Sequence, residues 1–486
     1  MNRHAKVKSF GDYVVFESPH CQVVGNIGLL LDSTNSVDRG DFLYGDSAHN
    51  ESWKEFSYQL RPGWSPERLR SHCYVGDVVA ASKSVVGKAG GTEFLRKLSP
   101  HDRALRLSEV AQNPKHLNAV LYYSPFDRSF PTADVDAVRS HCSRMGINAD
   151  CVSSEDKSVV RVIRRLDSEP KVCVIIPTRG DSAEIFGKQI NLAANAIRSL
   201  CEKSTYRNFE ILVVIDTVAS DQSRQEIIEA GGENLSIIDY DEPFNFAKKI
   251  NIAALQTDAE YLLFMNDDTE IYSPEVIQHL LSYFQDPEVG LVAPLLLFED
   301  EKVQSAGHLM NPVPFDLYRG YETESSGGFN ILQVAREVSS VIAAFAMTPT
   351  KLFLDAGGFC NDFPSDYNDV DYALKIKSLG RKTIVTPYVK CWHFESKTRK
   401  PGLNASAIEL LGSRWKHEIE NDIYGNPSLQ KYEFIWKANV DSFESLANAV
   451  GANAEWDGEE WHILRTLPEK NLHRTMFFPW KIRWTK

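Results

Sequence analysis

Short apolar runs, each closed by a polar or acidic residue, recur along the chain from Lys171 onward. Val172-Cys173-Val174-Ile175-Ile176 stops at Pro177, and a run of that length reads as a strand buried on both faces. Residues 183–203 carry a helical pattern, and Glu210–Ile215 is a second strand ending at Asp216. A helix is expected over 222–230, a third strand over Leu235–Ile238, a helix over 246–256 and a fourth strand over Tyr261–Met265. This alternation predicts an α/β chain with a doubly wound sheet and right-handed crossovers. Beyond it come a helix at 274–285 and strands near 290–297, 341–347 and 383–386. A helix near 366–379 has Gly380 as its cap.

The polar residues that close these runs form a pattern of their own. Asn266-Asp267-Asp268-Thr269-Glu270 follows the fourth strand at once. In open α/β sheets the ligand crevice lies outside the carboxyl ends of the strands. Adjacent carboxylates repel each other, and a hard divalent cation with phosphate oxygens in its shell would relieve them. Pro177-Thr178-Arg179 ends the first strand and Asp216 the second, so a nucleotide laid across these ends would meet Asp216 at its base or ribose. Each residue alone has a plainer explanation, Pro177 as a strand stop and Asp216 as a helix cap; the set together favours a site. A second cluster, Asp366, Asp369 and Asp371, opens the helix near 366–379. Asp369 and Asp371 are two positions apart, ~200° around a helix, so they cannot share one role. Downstream, an extended segment leads through Trp392 to His393.

Composition sets limits on this picture. The 486 residues are 43% hydrophobic and 24% charged, an ordinary soluble balance with room for two or three domains. A net charge of -13 argues against nucleic acid as a partner. The 8 cysteines form no CxxC pair, so free thiols in a reducing compartment are expected. The opening residues lead into no apolar leader, and no apolar run reaches the ~18 residues of a spanning helix. A cytoplasmic protein is expected, peripheral at the inner face of the plasma membrane if it meets a membrane at all.

Taken together, several segments resemble the family-2 glycosyltransferases of the GT-A fold. They are Ile175-Ile176-Pro177-Thr178-Arg179, Val213-Val214-Ile215-Asp216, Phe244-Asn245-Phe246-Ala247 running to Asn251, and Leu263 through Glu270. Ala356-Gly357-Gly358-Phe359, Tyr367 through Asp371 and Trp392-His393-Phe394-Glu395-Ser396 complete the set. The resemblance covers about 170–430 and is of the bacterial surface-polysaccharide type. It implies transfer of a sugar from a nucleotide-diphosphate sugar to a hydroxyl of a glycan or lipid-linked glycan. Under it, Asp268 and His393 hold Mn²⁺ or Mg²⁺, and Asp369 is the general base of an inverting reaction. Pro177, Thr178, Arg179, Asp216, Lys249, Asn251 and Asp267 line the donor, while Asp371 and Trp392 stand on the acceptor side. Three departures stand out: Asn266 for the first Asp of the metal element, Asn368 for a Glu beside the base, and Ile250 for an Arg before Asn251. Lys248 or Lys249 is expected to supply that missing charge. A non-catalytic glycan- or nucleotide-sugar-binding scaffold is the main alternative. A nucleotidyltransferase is the other, though Pro177–Asp181 holds a single glycine where that class has a Gly-rich loop.

The N-terminal third reads as a partial copy of the same pattern. Gly11–Ser18 is similar to Ala259–Asn266, Ala89-Gly90-Gly91 to Ala356-Gly357-Gly358, and Asp102–Leu107 to Asp371–Ile376. Asn118-Ala119-Val120 and Tyr123-Ser124 then follow Pro387-Tyr388-Val389 and Trp392-His393. In this copy Ser18-Pro19-His20 replaces Asn266-Asp267-Asp268, Pro100 falls opposite Asp369, and Ser124 opposite His393. The expected domains are a degenerate partial GT-A-like domain over 1–125 and a bridge over 126–168 with a helix at 132–144. A catalytic GT-A domain follows over 169–405, then a helical extension and basic, aromatic tail over 406–486. A helix is expected over Ala407–Glu418, and residues 470–486 are the candidate for peripheral membrane contact.

Overall fold

The computed structural model describes residues 4–25, 27–32, 40–52, 55–124, 130–155, 157–395, 405–437, 453–456 and 461–464. The tail proposed for membrane contact, 470–486, lies outside the described residues. Among those described, no helix is long and apolar enough to cross a membrane. The chain forms two compact units, one of residues 1–146, 151–160 and 425–486, the other of 147–150 and 161–424.

The second unit is built on a mixed sheet. Its strand order is Leu235–Tyr240, Phe209–Asp216, Val172–Thr178, Tyr261–Met265, Phe345–Pro349, Val289–Leu297, Lys382–His393 and Thr269–Ile271. The first four run parallel, as the α/β pattern predicts. Phe345–Pro349 then joins antiparallel on both sides. Alternate residues of each strand face different layers, which is why the strands read as unbroken apolar runs. Val172, Val174 and Ile176 pack with Ala193, Ile197 and Leu200. Cys173 and Ile175 pack on the other face with Ala247, Ile250 and Ala254.

Two sequence expectations need correction here. Pro177 does not end its strand, which runs on to Thr178 with Pro177 in register with Val214. The helical pattern over 183–203 holds only from Leu192 to Lys203. Before it, Ser182–Ile185 and Lys188–Asn191 form a β-hairpin. Its tip is Phe186-Gly187, both at positive φ, 47° and 74°, a conformation that reverses two strands tightly and that no helix contains. Asn191 then caps the shortened helix by accepting from Ala194 N at 2.9 Å.

The first unit has a sheet ordered Lys6–Phe10, Tyr13–Glu17, Val78–Ser82, Phe42–Ser52, Pro114–Ser124 and Gln22–Val23. Its registers run parallel to those of the second sheet. Tyr13 faces Ser82 and Glu17 faces Val78, as Tyr261 faces Pro349 and Met265 faces Phe345. Beyond the strand, Ser18 N donates to Asp77 O at 3.1 Å, as Asn266 N donates to Ala344 O at 2.8 Å. Gln22 pairs with Tyr123 as Glu270 pairs with Trp392. The outer strand differs: Lys6–Phe10 lies antiparallel to its neighbour, where Val172–Thr178 is parallel to Tyr261–Met265. Residues 425–437 belong to this unit. Asn426 Nδ2 donates to Asp46 Oδ1 at 3.1 Å and to Arg61 O at 2.8 Å, and Trp436 Nε1 donates to Leu60 O at 2.8 Å.

Candidate active site

The turn after Tyr261–Met265 brings distant residues together. Thr269 N and Thr269 Oγ1 both donate to Asn266 O, at 3.3 and 2.7 Å, and the chain doubles into Thr269–Ile271. That short strand pairs with the end of Lys382–His393, with Thr269 opposite His393. Phe394 N donates to Asp268 O at 2.8 Å, and His393 Nε2 lies 3.2 Å from Asp268 Oδ1. Asn266 Nδ2 is 3.4 Å from the same ring nitrogen. The other nitrogen is fixed by Gln304. Its amide N–H donates to His393 O at 3.0 Å, so its Oε1 must accept the Nδ1–H at 2.7 Å.

This arrangement fits a divalent cation. With Nδ1 carrying a proton, Nε2 turns its lone pair toward a carboxylate oxygen, and either a proton or a cation must lie between them. Asp268 Oδ1 and Asn266 Oδ1 are both buried without a hydrogen-bond partner. Burial works to raise the Asp268 carboxyl, yet the His393 ring outweighs it and holds the group below its ordinary value. Burial likewise works to lower His393, and Asp268 outweighs it in the raising direction. The groups that would hold the cation are Asp268 and His393, with Asn266 as a neutral oxygen donor beside them.

A second chain of contacts ties the ends of the parallel strands. Thr178 Oγ1 donates to Asp267 Oδ2 at 2.6 Å, and Thr178 O accepts from Lys249 Nζ at 2.7 Å. Lys249 Nζ also lies 2.5 Å from Asp216 Oδ1. Asn245 sets this up locally, since its side chain caps the Phe246–Ala254 helix by accepting from Lys248 N at 2.9 Å. Lys249 then points inward from the first turn, is 0% exposed, and lies under Tyr240 and Phe244, 5.1 and 5.4 Å from their ring centres. Burial lowers its amine, while Asp216 opposes the shift. Asp267 is pushed up to about 7 by burial and by the neighbouring Asp268 charge. Arg179 is half exposed and pairs with Asp181 at 2.9 Å. Asn251 has its amide on the glycine turn: Oδ1 accepts from Phe359 N at 2.9 Å and Nδ2 donates to Phe359 O at 2.8 Å. Gly358 has φ 64°, and a Cβ there would come 2.4 Å from Asn251 Oδ1.

The two aspartates of the Asn368–Ser378 helix have separate surroundings. Asp369 is reached by backbone donors, Val370 N on Oδ1 at 2.8 Å and Ala343 N on Oδ2 at 3.1 Å. Burial raises its carboxyl, and the His308 charge opposes this. Asp371 is fully buried and bound to Arg414 Nε and Trp415 Nε1, both at 2.8 Å, and to Lys375 Nζ at 3.3 Å. It therefore holds the Ala405–Glu420 helix in place. Among the described residues no hydrogen bond or ion pair joins Asp369 to Asp268 or His393. Trp392 points away from His393, as successive strand residues do. It packs edge-on to Tyr272 and Phe186, at 4.6 and 5.8 Å, with Lys203 Nζ 5.3 Å from its ring.

Two polar residues escaped the sequence reading. Gln304 lies in a three-residue strand, Val303–Ser305, and carries no motif. His308 Nδ1 meets Ser340 Oγ at 2.7 Å, and its Nε2 lies 3.4 Å from Asp316 Oδ1. A lone histidine in a run of small apolar strands gives no signal; only the return of the 339–343 segment toward Asp369 shows where it stands.

Comparison with known proteins gives this geometry a family. Residues 173–353 match the family described as Glycosyl transferase family 2. The O-antigen biosynthesis protein RfbC of Myxococcus xanthus is 29% identical over 356 residues, which is 70% of this chain and 27% of that protein. The uncharacterized protein y4gI of Sinorhizobium fredii is 24% identical over 406 residues, 77% of this chain and 44% of that one. The chain thus spans 27% and 44% of these two curated relatives. Among solved structures, the mannosyltransferase PcManGT from Pyrobaculum calidifontis, in complex with GDP-Man and Mn2+, aligns over 58% of this chain and 69% of its own. Its identity is 17% and its TM-score 0.37. Asp369 and His393 lie beyond the matched segment, whereas Thr178, Asp216, Lys249, Asp267 and Asp268 lie inside it. The segment 173–353 is a family-2 glycosyltransferase domain.

Proposed function

We propose that the chain moves a sugar from a nucleotide-diphosphate donor to a hydroxyl of a glycan or lipid-linked glycan, with inversion at the anomeric carbon. The observation that carries this reading is the Asp268–His393 pair, 3.2 Å apart at the strand ends of a family-2 domain with two buried oxygens left without partners. The cation is Mn²⁺ or Mg²⁺, held by Asp268 and His393; when bound it stabilises the charge developing on the leaving diphosphate. Lys249, Thr178 and Asp267 hold the ends of the donor strands in register, and Asp216 faces the nucleoside. Asp369 takes the proton from the acceptor hydroxyl, a role suited to a carboxylate whose basicity burial has increased. One base and no second nucleophile favour a single displacement. The likeness to an O-antigen biosynthesis protein supports a surface polysaccharide as the destination.

The first unit takes no part in the transfer chemistry on this reading. Its sheet has the second unit's registers, but Ser18 and His20 stand where Asn266 and Asp268 do, and Ser124 stands opposite His393. Its part is structural or acceptor-guiding.

The test is a donor-hydrolysis screen over nucleotide-sugars with Mn²⁺ or Mg²⁺, on the full chain and on Asp268→Ala. Release of a nucleoside diphosphate from one donor, abolished by EDTA and by Asp268→Ala, is expected. Full turnover in EDTA with an active Asp268→Ala enzyme would overturn the metal assignment. Binding of a donor or glycan with no turnover under any condition would favour the scaffold reading.

A further inference from the structure

The first unit holds a side-chain cluster that the transfer reaction does not use. His20, Cys21 and Asp77 each offer one ligand atom, and these atoms all lie within 4.8 Å of one another. Among the described residues no other trio of His, Cys, Asp or Glu side chains gathers as closely. The backbone holds the trio in place: Ser18 N donates to Asp77 O at 3.1 Å, and Cys21 N to Ser18 O at 3.0 Å. Cys21 is 2% exposed and Asp77 6%, while His20 is partly exposed and leaves a way in from solvent. His20 Nε2 is buried and makes no hydrogen bond. It lies 3.5 Å from Asp77 Oδ2, beyond normal hydrogen-bond length. An imidazole nitrogen facing a carboxylate at that separation has room for an ion between them.

The place of the cluster is a second, independent observation. By strand register His20 occupies the position of Asp268, and Asp77 the position of Ala344. The first sheet therefore has ligand-bearing side chains at the same strand-end turn, with the set changed. The oxygen donor has moved to the neighbouring strand, an imidazole has come to the turn, and a thiol has joined them.

We propose that His20, Cys21 and Asp77 form a site for a borderline-soft divalent cation of the zinc type, separate from the site at Asp268. The donor set chooses the ion. Thiolate, imidazole and carboxylate together are a zinc set, whereas Mg²⁺ and Ca²⁺ take oxygen alone. Three protein ligands leave a fourth position to water. A cysteine ligates a cation as its thiolate. Binding therefore breaks the S–H bond, forms the metal–sulfur bond and releases the proton to solvent, so affinity rises with pH. The proposal does not depend on the sugar-transfer reading.

The test uses the full chain, stripped of metal by a chelator and titrated with Co²⁺, whose thiolate complexes absorb in the near ultraviolet. The Asp268–His393 site has no thiol and is silent in that band. A thiolate–cobalt band that saturates at a single ion per chain and is displaced by Zn²⁺ is expected, and it should vanish in Cys21→Ser. Asp77→Asn keeps the thiol, so it should keep the band but need on the order of tenfold more Co²⁺ or higher. It also decides the matter if Cys21→Ser fails to fold, as judged by circular dichroism. No band in the wild type, a band unchanged in Cys21→Ser, or an unshifted titration in Asp77→Asn would each overturn the proposal.

Discussion

Gln304 grips His393 at two points, accepting the ring Nδ1–H at 2.7 Å and donating to the backbone carbonyl at 3.0 Å. The grip fixes both the tautomer and the direction of Nε2, which is what a metal-ligating histidine needs from its outer partner. Gln304→Leu keeps the bulk and removes both bonds. Mn²⁺ affinity is expected to fall about 10–100-fold, the usual range for loss of such a partner, with far-UV circular dichroism unchanged. Manganese electron-spin titration checks it, and wild-type affinity in the variant would remove Gln304 from the site.

Asp369→Asn tests the proposed base directly. The amide has one acceptor oxygen where the carboxylate uses two, Oδ1 for Val370 N and Oδ2 for Ala343 N, so one of these backbone bonds is lost and circular dichroism should check that the helix start holds. Turnover should drop on the order of 10²–10⁴-fold with donor affinity kept. A base works only when deprotonated, and burial raises this carboxyl above its ordinary 3.8. Wild-type kcat should therefore fall as pH drops through a midpoint above that value. A rate flat down to pH 4 would exclude Asp369 as the titrating base.

Asp371 should respond in the opposite way. Its carboxylate is buried against Arg414, Trp415 and Lys375. Removing one partner of a buried ion pair costs about 3–5 kcal/mol. Asp371→Ala is expected to lose stability of that order in urea, while kcat per folded molecule changes little. A stable but inactive Asp371→Ala would mean that the two aspartates have exchanged roles.

His308 supplies a stability prediction with a pH signature. Burial alone would lower its pKa, but the Asp316 charge, with Asp369 behind it, raises it, and Arg319 opposes them. A folded pKa above the ordinary 6.5 means that the protonated ring stabilises the fold at low pH. That contribution is lost as pH rises through the folded value. His308→Ala should be less stable than wild type by about 1–3 kcal/mol at pH 6, since Asp316 loses its imidazole partner while keeping Arg319 at 3.8 Å. The gap should narrow by pH 9. Thermal unfolding of both proteins across that range decides it, and a gap that widens with pH would show the ring is neutral in the fold.

Sequence was a good guide where one local pattern decided the structure. The strands at 172–178, 209–216 and 261–265 were legible because they are buried on both faces and bounded by polar residues, and 235–240, a mostly half-exposed edge strand, through its apolar Leu235, Ile237 and Ile238. The Asp268–His393 contact joins residues 125 positions apart (393 − 268) and rests on a strand pairing, Thr269 with His393, that no local pattern encodes; only the family resemblance joined the two residues. The hairpin at 182–191 was hidden because the helical pattern of Leu192–Lys203 was extended back over it, although Ala183 and Ile185, like Ile190 and Leu192, stand two apart as strand residues do; the deciding factor was the positive φ of Phe186 and Gly187. Gln304 and His308 act through tertiary contacts alone. The return of residues 425–437 to the first unit was equally invisible, because an irregular segment that docks through Asn426 and Trp436 has no period to read.

That return changes how the two units should be separated. Asn426 lies in a buried network: its Nδ2 donates to Asp46 Oδ1 and Arg61 O, while Asp46 Oδ1 also accepts from Arg61 N at 2.7 Å and faces His116 Nε2 at 2.9 Å. Asn426→Leu leaves Arg61 O and one face of Asp46 without a donor, and should lower the stability of the first unit by about 1–3 kcal/mol. The same contacts predict how fragments behave. A fragment of 161–486 keeps Asn426 and Trp436 but loses Asp46, Arg61 and Leu60, so it carries an apolar segment with no seat. A fragment of 161–424 ends before that segment. Size-exclusion chromatography of the two should show more aggregate in the longer one, against the common expectation that a longer fragment behaves better. Equal behaviour of the two fragments, with Asn426→Leu as stable as wild type, would show that the 425–437 segment adds nothing to the first unit.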